Sequence, residues 1–152
     1  MQPRIEYSKA APGALKAMYG LEAYVKSSGL EPSLLDLIKT RASQINGCAF
    51  CIDMHTKEAR AKGESEQRLY LLNAWREAPF YTERERAALA WTEAVTLVAD
   101  GQVPDEVYDQ ARAQFGEQEL VNLTLAVVAI NGWNRLAISF RAVPGSYQVA
   151  HS

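Results

Sequence analysis

Cysteine is nearly missing from this chain: there are two in 152 residues, Cys48 and Cys51. An excess of one charge is missing too, with 16 Lys and Arg against 18 Asp and Glu. A net charge of -2 gives no reason to expect nucleic acid or an acidic membrane surface as partner. The start, Met1-Gln2-Pro3-Arg4-Ile5-Glu6, lacks a basic stretch followed by an apolar core, so no secretory signal is expected. The longest apolar stretch, Val121 to Ile130, is too short to cross a bilayer and carries Asn122 and Thr124. The cytoplasm is the expected home. In that reducing compartment a lone Cys-x-x-Cys is more often redox-active or metal-binding than a structural staple. Internal repeats, linkers, low-complexity segments and runs of alternating residues long enough for a strand are also lacking. What remains, 48% apolar and 22% charged, suits one domain over 1–152 with a single buried core.

The pattern that is present is helical throughout. Pro12 to Ser28 has apolar residues at Leu15, Met18, Tyr19, Leu21 and Val25, closed by Gly29. Pro32 suits a first helical turn, and Leu34, Leu35, Ile38, Ala42 and Ile45 line one face up to the turn signal Asn46-Gly47. A helix opened by Cys48 runs to Lys62, with Gly63 as its stop. Ser65 to Trp75 follows, with Leu69, Leu72 and Trp75 at helical spacing. Thr82-Glu83-Arg84-Glu85 is a capping box that starts a helix reaching about Ala99. Pro104 to Phe115 and Glu117 to Phe140 complete an all-α bundle of six to seven helices. The tail, 143–152, contains Pro144-Gly145-Ser146 and reads as a C-terminal arm.

The chemistry is concentrated at Cys48, Cys51 and His55, separated by three and four residues. At that spacing all three share one helix face, so a base sits one turn from two exchangeable thiols. Gly47 permits a tight turn, which places both cysteines in the first turn of the new helix. The unpaired N–H groups and the dipole there favour the thiolate, the nucleophilic form. A thiolate can attack the O–O bond of a peroxide to give a sulfenic acid, which the neighbouring thiol converts to a disulfide. An outside dithiol then restores the pair by exchange. The thioredoxin fold carries its Cys-x-x-Cys after a strand; a helix precedes it here, which points to an all-helical redox protein. If the helices on either side of Gly47 pack antiparallel, Asp36 and His55 lie at similar heights, about 15 and 12 Å from the turn. Asp36 is thus a candidate partner for His55, although its place on the polar side of its helix equally permits plain exposure.

From Leu35 to Gly63 the chain resembles the alkylhydroperoxidase AhpD-like proteins of the carboxymuconolactone decarboxylase family, through Leu-Asp-Leu-Ile-Lys, Arg-Ala-Ser-Gln-Ile-Asn-Gly-Cys and Cys-Ile-Asp-Met-His-Thr-Lys-Glu-Ala-Arg. It is similar to small members over most of its length, including Glu83 to Trp91 and Asn131 to Arg135. The resemblance implies a proton-relay and dithiol site of Asp36, Cys48, Cys51 and His55, with Asp36 standing where the family usually has Glu. It also implies that Cys51 attacks peroxide with His55 as base, and that Cys48, the outer cysteine, resolves the sulfenic acid and meets the reductant. It further implies trimers or hexamers and no bound cofactor. The expected partners are a peroxide substrate, a dithiol or protein reductant, and further copies of the chain.

Other readings stay open from the residues alone. The cysteines could be small buried hydrophobes, or could bind zinc with His55 and, less suitably, His151. Disulfide reduction of a non-peroxide substrate, lactone decarboxylation, and a non-enzymatic binding module are the alternative functions. Glu58 and Lys62 read as solvated charges, an i,i+4 pair. Trp75, Trp91 and Trp133 read as core or subunit contacts. Asn131, Asn134 and Arg135 could cap a helix or brace the site. Glu117 to Phe140 is apolar nearly all round, and its cover is expected at a subunit interface, with Trp133 near the contact and the dithiol close by.

Overall fold

Proline and glycine set most of the helix boundaries. The computed structural model describes residues 1–150. Those residues form α1 (Tyr7–Ala10), α2 (Pro12–Ser27), α3 (Pro32–Asn46), α4 (Ala49–Ala61), α5 (Glu66–Tyr70), α6 (Glu83–Thr96), α7 (Val98–Gly101), α8 (Asp105–Gln114) and α9 (Glu117–Phe140), with no strand among them. Pro12 and Pro32 occupy the first helical positions of α2 and α3, where a missing N–H is harmless. Thr82 and Glu85 form the expected reciprocal capping box at the start of α6. Gly63, at φ +96°, closes the end of α4, where the Glu64 N–H reaches back to the Ala59 carbonyl at 3.0 Å.

Two expected helices are divided. Ser65–Trp75 is α5 followed by a 3₁₀ turn over Leu72–Ala74. Leu69, Leu72 and Trp75 recur every three residues, which is the 3₁₀ repeat, and all three are buried. The helix expected to reach Ala99 breaks at Leu97, beyond which Leu97 and Val98 are exposed and gain nothing from a continued apolar face.

α3 lies at the centre, packed on α4, α6 and α9, while α9 also crosses α2. The main core joins Val25, Leu34, Ile38, Trp91, Leu123 and Val127. A second cluster gathers Leu37, Leu72, Trp75, Tyr81 and Leu89. With 24 residues and high mean hydropathy, α9 is long and apolar enough to cross a membrane, which the ten-residue stretch within it is not. Its contacts make it a core helix: Leu120, Leu123, Val127 and Ile130 are buried, as are Asn122 and Asn134. One apolar stripe stays uncovered in the single chain, with Val121 68% and Val128 49% exposed.

The α3–α4 junction is tied to α9 through side-chain amides. Asn46 Nδ2 donates to Asn131 Oδ1 at 3.0 Å and to Asn134 Oδ1 at 2.9 Å, and Asn134 Nδ2 donates to Ser43 Oγ at 3.0 Å. Asn131 also donates to Thr96 Oγ1 of α6, and Arg135 donates to Asn131 Oδ1. These residues therefore brace the turn that precedes the cysteines. At the turn itself Gly47 takes φ +69°, its N–H bonding Gln44 O at 3.2 Å and the Cys48 N–H bonding Ser43 O at 2.9 Å. This paired closure satisfies two α3 carbonyls and requires the left-handed conformation. Gly47→Ala meets no atom within 4 Å, so its effect is conformational strain alone. It is expected to lower stability by about 1–2 kcal/mol, read as a reduced urea midpoint at unchanged m-value.

Candidate active site at the start of α4

Because Gly47 reverses the chain, Cys48 becomes the N-cap of α4 in an extended conformation, and its Sγ accepts the Cys51 N–H at 3.3 Å. Cys48 and Cys51 are joined in a disulfide with their Cα atoms 5.3 Å apart. Both are 2% exposed, so burial does not distinguish an outer cysteine from an inner one. Ala137 in the last turn of α9, Ala142 just beyond that helix, and Phe50 pack against them.

His55 follows one turn later and is 6% exposed. Neither ring nitrogen has a hydrogen-bond partner among the described residues. Burial lowers its pKa from 6.5 to about 3, and the positive charges of Lys39 and Lys62 act in the same direction. In this disulfide state the imidazole is neutral. The carboxylate within ion-pair distance is Glu58, whose Oε2 lies 3.9 Å from Nδ1.

Asp36 is buried, not exposed, and its carboxylate accepts two hydrogen bonds from Lys62 Nζ, at 2.9 and 3.0 Å. Burial raises its pKa, and the Lys62 hydrogen bond and charge oppose that rise. Lys62 therefore pairs with Asp36, and the expected i,i+4 pair with Glu58 is not formed. Glu58 instead accepts the Tyr147 hydroxyl at 2.5 Å. That hydrogen bond, with burial adding, pushes the Tyr147 pKa up to about 12. The C-terminal arm is further tied to α4 by the Gly145 N–H on Asp53 Oδ2 at 3.1 Å and by Lys57 Nζ on the Tyr147 carbonyl at 3.1 Å. Tyr147 is the contact that sequence reasoning missed. It lies 89 residues from Glu58, in a segment with no periodic signal.

Among the described residues no three His, Cys, Asp or Glu side chains converge on a metal position. His151 lies outside those residues. A cavity of about 610 Å³ is lined by Gln44, Ile52, Thr56, Arg60, Leu69 and Val149. It borders the stripe of α4 next to the one that carries Cys51 and His55, so the dithiol chemistry does not lie within it. Trp133 is half-buried in the single chain, with its Nε1–H on Glu22 Oε1 at 3.1 Å and its ring beside Tyr19.

A buried neutral histidine makes stability depend on pH with a definite sign. Its pKa is depressed on folding, so its contribution is complete above pH 6.5 and is lost as pH falls toward 3. Between pH 7 and pH 5 the oxidised wild-type protein should lose about 2 kcal/mol more than His55→Asn does, measured by urea unfolding at both pH values. Equal losses in the two proteins would show that His55 is already charged in the folded state at pH 5.

Residues 12–94 match the carboxymuconolactone decarboxylase family. The chain is 47% identical over 139 residues to the uncharacterized protein YdfG of Bacillus subtilis strain 168, covering 91% of this chain and 95% of YdfG. It is 30% identical over 117 residues to the uncharacterized protein YnjA of Escherichia coli K12, covering 77% and 62% respectively. Among solved structures, a protein of unknown function from Agrobacterium tumefaciens, described as a candidate antioxidant defence protein AhpD, superimposes with a TM-score of 0.93 at 52% identity over 96% of this chain and all of that one. The debrominase Bmp8 shares the fold, with a TM-score of 0.78 at 18% identity over 91% of this chain and 74% of its own. With its helical bundle and a Cys-x-x-Cys opening α4, the chain belongs to the carboxymuconolactone decarboxylase family, among its AhpD-like proteins.

Proposed function

We propose that this protein is a thiol-dependent peroxidase that reduces hydrogen peroxide or alkyl hydroperoxides through a dithiol–disulfide cycle. The observation that carries the reading is the Cys48–Cys51 pair at the N-terminus of α4 with a neutral histidine one turn on. In the reduced protein His55 takes the Cys51 proton. The Cys51 thiolate attacks one peroxide oxygen, the O–O bond breaks, and Cys51 becomes a sulfenic acid while the released alkoxide takes the proton from His55. Cys48 then attacks the sulfenic sulfur, forming the disulfide and releasing water. A dithiol or protein reductant supplies two electrons and two protons to restore both thiols. In this reading Asp36 is the outer carboxylate of the relay. Burial raises its proton affinity, and the half-exposed Lys62 head can leave it to permit proton exchange. A cytoplasmic home supplies the reductant.

A disulfide reductase with a non-peroxide substrate would use the same two-electron couple, so the test must read peroxide directly. Stopped-flow mixing of the reduced protein with hydrogen peroxide or an organic hydroperoxide should consume two thiols per molecule without covalent dimers. Cys51→Ser should abolish consumption. Cys48→Ser should complete one turnover and leave a dimedone-reactive sulfenic acid on Cys51. His55→Gln should slow the reaction about 100-fold near neutral pH. Two thiols surviving peroxide would end the peroxidase reading, and an adduct on Cys48 in Cys51→Ser would reverse the two roles.

The same reading includes a homo-oligomer, a trimer or hexamer, with the dithiol close to an interface and Trp133 at or near the contact. Its support is the stripe of α9 that carries the exposed Val121 and Val128, with Leu125 only partly buried between them. Analytical ultracentrifugation at micromolar concentration should give a single species at a multiple of 16.9 kDa. A monomer would remove the assembly and leave the redox chemistry intact.

A further inference from the structure

We infer that Glu58, held in place by Tyr147 of the C-terminal arm, is the carboxylate that positions His55 and stabilises its protonated form, which makes the arm part of the site. The inference rests on the thiol chemistry proposed above and adds two residues to it.

The charged groups that act on His55 are Lys39 from α3 and Glu58 and Lys62 from α4; Asp36 of α3 and Tyr147 of the arm stand one contact further out, on Lys62 and Glu58, and α9 brings the apolar Ala137 to the disulfide. Lys39 is itself taken up by Glu22 of α2 at 2.8 Å. Asp36 is taken up by Lys62, with both carboxylate oxygens engaged. Of the two nearby carboxylates, Glu58 is the one that reaches His55, with Oε2 3.9 Å from Nδ1. Its other oxygen accepts the Tyr147 hydroxyl. Oε1 is thus anchored while Oε2 faces the imidazole.

A carboxylate three residues along a solvated helix face would ordinarily sample several rotamers. Here the Tyr147 hydroxyl and the Lys57 and Asp53 bonds to the arm restrict it. In the disulfide state His55 is neutral and makes no ion pair with Glu58. When Cys51 loses its proton to His55, a positive charge appears on the ring beside a fixed negative one. The proton moves from Cys51 Sγ to the imidazole, no electrons are transferred, and the thiolate–imidazolium pair is favoured over thiol and neutral imidazole. Tyr147 and Glu58 touch neither sulfur nor peroxide, so they are positioning residues.

The test reads thiolate formation without peroxide. Full-length reduced wild type, Glu58→Gln and Tyr147→Phe are alkylated with iodoacetamide from pH 5 to 9, and the rate at Cys51 is followed by peptide mass spectrometry. Glu58→Gln should move the midpoint of the rate–pH curve upward by about one unit, the size of a charge interaction near 4 Å in a partly solvated site. Tyr147→Phe should move it in the same direction by about half as much, since it frees the carboxylate without removing it. A purely structural role would lower the melting temperature and leave the midpoint in place. Midpoints unchanged in both variants overturn the inference. If Glu58→Gln does not fold, Tyr147→Phe decides alone, because it removes one hydroxyl from an arm outside the core. Peroxide consumption measured on the same samples separates the two readings: shifted midpoints without consumption support the positioning role and end the peroxidase proposal.

Discussion

The left-handed turn at Gly47 is the constraint on which the site depends. Two hydrogen bonds close it, from the Gly47 and Cys48 N–H groups to the carbonyls of Gln44 and Ser43. They end α3 and turn the chain so that α4 packs against it. Cys48 is thereby left as the N-cap, Cys51 falls in the first turn, and His55 lies one turn deeper. The amides of Asn46, Asn131 and Asn134 hold this turn against α9. Such a partly buried polar network adds geometric specificity provided that its members are satisfied, and the fully buried Asn134 both donates and accepts.

The two sulfurs receive different support. Cys48 Sγ accepts the Cys51 N–H, and His55 lies one turn beyond Cys51 on the same helix. When an external thiolate attacks the disulfide, the departing sulfur must carry negative charge. Attack at Cys48 would expel Cys51, one helical turn from His55. Attack at Cys51 expels Cys48 toward a helix N-terminus. The two cysteines are equally buried, so access in this structure does not separate them. Ala137, Ala142 and Phe50 pack in one cluster with the two cysteines, so the end of α9 and the residues just beyond it border either route.

Much of this was legible in the sequence because it is local. The proline starts, the Thr82 capping box, the Gly47 and Gly63 stops and the Cys48–Cys51–His55 stripe each depend on residues within a few positions of one another. The division of Ser65–Trp75 was hidden because spacing by three fits both a helix and a 3₁₀ turn. Pairings across the fold were harder. Asp36 could be set at the height of His55 from helix rise alone, but rise does not say that Lys62 would claim its carboxylate. Tyr147 gave no signal, since an irregular arm has no period from which to infer where it docks. The apolar circumference of α9 was readable, and the single chain resolves it into a buried side and the stripe that bears Val121 and Val128.

The docked arm also bears on how the protein should be handled. The Tyr147 hydroxyl, its carbonyl and the nearby Gly145 N–H are all bonded to α4. A label or graft that displaces residues 143–147 would pull on the segment that touches Glu58. The opposite terminus is held to the bundle at a different place: the Arg4 N–H bonds the Phe140 carbonyl and Tyr7 lies against the Phe140 ring. Material meant for kinetic work should therefore leave residues 143–147 undisturbed, and preparations that differ there are not interchangeable for measurements on this site.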